Sequence, residues 1–80
     1  MLREVRSLRI DGWECVIMEH VGDGERFDFV VCHRGGRRAR EVLIPHTAFA
    51  ECDARLFEKY GLPRYVAKRL ADACMVLRIR

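Results

Sequence analysis

The run Phe27-Asp28-Phe29-Val30-Val31-Cys32-His33-Arg34-Gly35-Gly36-Arg37-Arg38-Ala39-Arg40-Glu41-Val42-Leu43-Ile44-Pro45 decides the fold class of this chain. Two apolar, β-rich runs flank Gly35-Gly36. Glycine takes positive φ without strain, so the stretch reads as two antiparallel strands joined by a tight turn. Pro45 ends the sheet, because it has no N–H to give to a ladder. Arg34, Arg37, Arg38 and Arg40 crowd the turn and concentrate positive charge at one end of the sheet.

Toward the N-terminus the same period of two continues. Leu2 to Ile10 alternates, Asp11-Gly12 is a type I′ turn signal, and Trp13 to Val21 is again β-rich. Gly22-Asp23-Gly24-Glu25 then turns the chain into Phe27 to His33. The expectation is a four-stranded antiparallel meander with its strands in residues 2–44.

Register follows from the turns. A two-residue Asp11-Gly12 loop pairs Ile10 with Trp13, Arg9 with Glu14 and Leu8 with Cys15. A three-residue Asp23-Gly24-Glu25 loop pairs Val21 with Phe27, His20 with Asp28 and Glu14 with Arg34. It is preferred because a one-residue slip sets Glu19 against Asp28, two like charges. A two-residue Gly35-Gly36 loop pairs Val31 with Arg40, Phe29 with Val42 and Phe27 with Ile44. These registers put Leu8, Ile10, Trp13, Cys15, Ile17, Val21, Phe27, Phe29, Val31, Val42 and Ile44 on the core face. Val16, Met18, Val30, Cys32 and Leu43 fall on the other.

After Pro45 the period changes to that of a helix. Ala48, Phe49, Cys52, Leu56, Phe57 and Tyr60 recur at helical spacing, with Thr47 as N-cap, giving a helix over about 47–60. Asp53 as a second cap would split it. Gly61 supplies the C′ residue and Pro63 opens a second helix over about 63–75, with Val66, Ala67, Leu70, Ala71 and Cys74 inward. Met75 to Arg80 either finishes that helix or forms a short final strand. The fold class expected is α+β: one domain, residues 1–80, with two helices on a four-stranded meander.

Composition narrows the function. There is no Asn and no Gln, one Ser and one Thr. Adenine readout through a side-chain amide and hydroxyl nucleophiles are therefore almost without candidates. Cys15, Cys32, Cys52 and Cys74 form no CxxC pair and sit among apolar neighbours, so four core thiols are expected, with Cys15 and Cys32 on opposite faces. His20 is placed to pair with Asp28 across strands. His33 and His46 show no metal-ligand spacing, so no metal and no cofactor are expected. No apolar run reaches the roughly 20 residues of a membrane span, and Met1 to Arg6 has no signal-peptide pattern. A cytoplasmic location away from membranes is expected.

Two constellations remain. Arg34, Arg37, Arg38 and Arg40, joined by Arg64 and Lys68 of the second helix, form a candidate phosphate-binding set with little sequence readout. The same arginines also suit a solvated turn that guards a sheet edge. Leu56 to Leu70 has the outline of a helix-turn-helix, although two helices covering a sheet explain the same residues. The second constellation is the half-apolar outer sheet face, with Val16, Met18, Val30 and Leu43 as its interface residues. The functional expectation is a non-catalytic nucleic-acid-binding module. The alternative is a protein-interaction module or small inhibitor using the outer face, a homodimer included. Thiol chemistry at Cys32 is the third class, and no enzyme is expected. The order of strands then helices resembles that of many small bacterial and phage domains, a likeness that assigns no residue a role.

Overall fold

The computed structural model describes residues 1–36 and 39–78. Four strands come first: β1 (Leu2–Ile10), β2 (Trp13–Gly22), β3 (Glu25–Arg34) and β4 (Arg40–Ile44). Three helices follow: α1 (His46–Phe49), α2 (Ala54–Lys59) and α3 (Arg64–Arg78). The strands form one antiparallel sheet in the order β1-β2-β3-β4. This is the α+β meander expected from the two periodicities.

The first hairpin has the predicted register, with Leu8 opposite Cys15 and Ile10 opposite Trp13. The second does not. Gly22 pairs with Glu25 and Cys15 with Cys32, so the loop is Asp23-Gly24 alone. Both turn residues have positive φ (50° and 79°), as do Asp11 and Gly12 (42° and 86°). The chain uses the same Asp-Gly type I′ turn twice.

The disfavoured contact, Glu19 opposite Asp28, is present. Glu19 is nonetheless buried, and two arginines neutralise it. Arg3 donates from Nε and Nη2 to Oε2 at 3.0 and 2.8 Å, and Arg26 Nε lies 2.6 Å from Oε1. A like-charge pair is tolerable when cations neutralise one of its members at close range.

The third hairpin shifts by three residues. Val30 pairs with Ile44, Cys32 with Val42 and Arg34 with Arg40, leaving a loop of residues 35–39. An odd shift turns a strand over. Val30 and Cys32 therefore sit in the core, fully buried, while Phe27, Phe29 and Val31 leave the predicted core face for the outer one. His20 opposes Phe27 rather than Asp28 and stacks on its ring, centroids 5.0 Å apart.

All four cysteines pair, against the expectation of isolated core thiols. Cys15 and Cys32 are cross-strand partners with Cα atoms 3.9 Å apart and are joined by a disulfide. A second disulfide joins Cys52 to Cys74. The Cys74 sulfur also lies 3.1 Å from the Phe49 carbonyl oxygen, so in the reduced chain its thiol has an acceptor in place.

The predicted helix over 47–60 is two helices. Thr47 is not the cap: Pro45 takes the N-cap position of α1 with no side-chain bond. The chain leaves α1 through Cys52 at φ 50°, and Asp53 caps α2 by accepting the Arg55 N–H at 2.9 Å. Asp53→Ala removes that bond and is expected to lower stability by about 1 kcal/mol. The urea midpoint reads this, and an unchanged midpoint would show that the cap contributes nothing. α3 carries Met75 through Arg78 as helix, so the segment with two open readings is helical up to Arg78.

The helices cover one face of the sheet. Trp13, Ile17, Val30, Ile44, Phe57, Val66 and Leu70 meet there at under 2% exposure. Fully burying one such side chain stabilises by about 1.5–3 kcal/mol, which is why the period-two and helical stripes converge on this layer. Among the described residues no helix is long and apolar enough to cross a membrane.

Candidate functional site

Meander topology sets the Asp11-Gly12 turn and the β3–β4 loop at the same end of the sheet, with Asp23-Gly24 at the other. Charge follows this polarity. The Asp23-Gly24 end carries Glu4, Glu19, Asp23, Glu25 and Asp28 beside Arg3 and Arg26. At the other end Arg9, Arg34 and Arg40 stand beside Asp11, Glu14 and Glu41, and Arg37 and Arg38, between β3 and β4 in sequence, tip the balance to basic.

At that basic end Arg34 and Arg40 are direct cross-strand partners, and both are exposed. Like charges placed opposite each other are unfavourable unless something holds them. Arg40 is held: its Nη2 donates to the Gly61 carbonyl at 3.1 Å and its guanidinium lies 5.9 Å from the Trp13 ring centroid. This bond joins the root of the β3–β4 loop to the turn between α2 and α3. Gly61 has φ 117°, so glycine is needed for the turn, and a Cβ there would stand 3.0 Å from Arg40 Nη2, which the flexible arginine would have to yield to.

Three residues after Gly61, α3 begins. Its exposed stripe runs Arg64, Tyr65, Lys68, Arg69, and then Asp72. The Arg40–Gly61 bond thus brings Arg40, from the first predicted cationic set, to the turn that precedes Arg64, with Lys68 one helical turn further along α3. Arg37 and Arg38, also in the predicted set, lie outside the described residues. Tyr65 and Arg69 extend the α3 stripe. The Arg40–Gly61 link has no sequence signal, because its partners are 21 residues apart.

Of the predicted interface residues, Val16 and Met18 are half-buried on the outer face and Leu43 is 54% exposed there. Val30 is not on that face: it is fully buried under the helices. Phe29 and Val31 stand in its place.

Cys32 is fully buried and bonded to Cys15, which removes the outermost thiol from the surface. Among the described residues no group of three His, Cys, Asp or Glu side chains could hold a metal ion. A cleft of about 250 Å³ opens between β3, α1 and α3, floored by Phe49 and Leu77. The Arg26 guanidinium on its rim is already engaged by Glu19.

Comparison with protein-family models, curated proteins and solved structures returned no match.

Proposed function

We propose that this chain is a small non-catalytic nucleic-acid-binding module that holds backbone phosphates at its basic corner. The observation that carries this reading is the Arg40–Gly61 bond, because it seats the Arg34–Arg40 pair against the turn from which α3, with Arg64 and then Lys68, departs. Arg40 keeps further N–H donors beyond the one given to Gly61. Arg37 and Arg38, between β3 and β4 in sequence, belong to the same proposed set. With no Asn or Gln in the chain, contact is to phosphates and sequence readout is slight.

Six phosphate contacts give a log–log salt slope of about −5 on duplex DNA and about −4 on single strands. A fourfold rise in salt then weakens duplex binding about 10³-fold. The test is fluorescence anisotropy of labelled DNA and RNA across a salt series, with Arg64→Glu/Lys68→Glu and Arg37→Glu/Arg38→Glu variants. Arg40 is left intact, since its loss would also release Gly61 and Trp13. Each double variant is expected to fold normally and to reduce the slope by about two. Absence of binding at low salt, or an unchanged slope in both variants, overturns the reading.

A cytoplasmic setting belongs to the same proposal and makes a demand on the sulfurs. In a reducing compartment the two cysteine pairs stand as thiols, and in an oxidising one as disulfides. Alkylation of the chain in intact source cells, followed by mass measurement, distinguishes the two.

A further inference from the structure

Among the described residues the helices cover one face and reach the second only where His46 of α1 meets Phe27, and the pattern of the remaining open face is specific. Ladder partners lie side by side in rows across the strands. One row reads Ser7, Val16, Val31, Leu43. The row nearest the basic end reads Arg9, Glu14, His33, Glu41. On the other side of the apolar row lie Glu4, Met18 and Phe29, with the carboxylate at the β1 edge. The end of α3 does not cover this face, since Leu77 packs toward the core on the helical side and Met75 is 53% exposed.

We infer that this face is a homodimer interface, occupied by the same face of a second copy of this chain. The argument is the charge order of the polar row. A two-fold axis parallel to the strands, between β2 and β3, lays β1 over the second copy's β4 and β2 over its β3. The row Arg9, Glu14, His33, Glu41 then meets its own reverse. Arg9 faces Glu41 of the second copy, and Glu14 faces its His33, each contact occurring twice by symmetry. The same operation sets Val16 over Val31 and Met18 over Phe29. A two-fold across the strands would instead press the charged row onto the end near Phe27, desolvating it with no partner for Glu41 from the second copy. Aligned sheets pack within about 30° of each other, so the two central strands stay in opposition.

Within one copy the row alternates basic and acidic side chains. Arg9 lies 3.5 Å and His33 3.7 Å from the Glu14 carboxylate. A surface of such mixed sign does not select a uniformly charged polymer, but it selects its own reversed order. Four strands about 4.8 Å apart, paired over about seven residues, make a face of roughly 440 Å² in projection. That is about half of the roughly 800 Å² per partner of a standard interface, the size of a weak, reversible contact. A dimer that dissociates on dilution is the expected form.

Sedimentation equilibrium over a concentration series tests this, with circular dichroism to check that each variant is folded. The wild-type chain is expected to pass from monomer to dimer, and Leu43→Asp to remain monomeric. Arg9→Glu and Glu41→Arg are each expected to weaken association about tenfold or more, and the Arg9→Glu/Glu41→Arg swap to recover it. A chain monomeric throughout, or a dimer indifferent to Leu43→Asp, overturns the inference. A swap that fails to recover association overturns the two-fold parallel to the strands.

Discussion

Replacing Arg3 and Arg26 together by alanine is expected to destabilise the fold by about 3–5 kcal/mol. The reason lies in Glu19, which is 2% exposed and faces Asp28 across the β2–β3 ladder. Its two carboxylate oxygens are divided between the arginines, Oε2 to Arg3 and Oε1 to Arg26. Either arginine alone is largely exposed and easily rehydrated, so each single substitution is expected to cost only about 1 kcal/mol. Losing both leaves a buried, unpaired carboxylate beside a second negative charge. The double change should therefore exceed the sum of the singles. Adding Glu19→Leu to the pair removes the stranded charge and should recover most of the loss. Urea unfolding of the four variants reads all of this. A double variant that loses no more than its two singles combined would show that Glu19 is hydrated in solution. Against the roughly 4–12 kcal/mol available to a chain of this size, the expected loss is a large share.

Reduction of the disulfides is expected to weaken the fold further still. Cys15–Cys32 spans a sequence separation of 17 and Cys52–Cys74 one of 22. On the chain-entropy account, closing a loop of such length in the unfolded state contributes roughly 3 kcal/mol per bond. The first bond fixes the β2–β3 ladder beneath Trp13, and the second fastens the α1–α2 connection to α3. Urea unfolding with and without reductant should therefore show a large shift in midpoint. Before reduction the denatured chain should react with no equivalents of a thiol reagent, and afterwards with four. Four reactive thiols before reduction, with an unmoved midpoint, would mean that the pairs are neighbours without a bond. The fold would then rest on its core alone.

The fold class was legible because it depends on periodicity, and the break at Pro45 is sharp. The first register was legible too, since Asp11-Gly12 demands one turn geometry. The same dipeptide at Asp23-Gly24 carried the same message, but a pairwise rule about Glu19 and Asp28 outweighed it. That rule fails here because the neutralising cations come from β1 and from Arg26, outside the pair being judged. The third register was illegible for another reason: Gly35-Gly36 resembles a two-residue turn, yet the loop spans residues 35–39 and turns Val30 and Cys32 inward. Both disulfide pairings follow from these registers or from the split at Asp53, so they were hidden with them. At the candidate site the cationic residues were readable one by one. Arg40's link to the α2–α3 turn was not, because it depends on one guanidinium reaching a carbonyl 21 residues away in sequence.

The irregularity in β1, where the ladder shifts between Glu4 and Arg6, bears on how association stops. β1 is a nine-residue edge strand, and an edge of that length offers unpaired N–H and C=O groups to any passing strand. The bulge twists the edge, and Arg3, Glu4, Arg6 and Arg9 crowd it with charge that a docking strand would have to desolvate. β4, the opposite edge, is only five residues long. Edge-to-edge growth into ribbons is thus obstructed on both sides, and contact between copies is confined to a face that closes on itself after two.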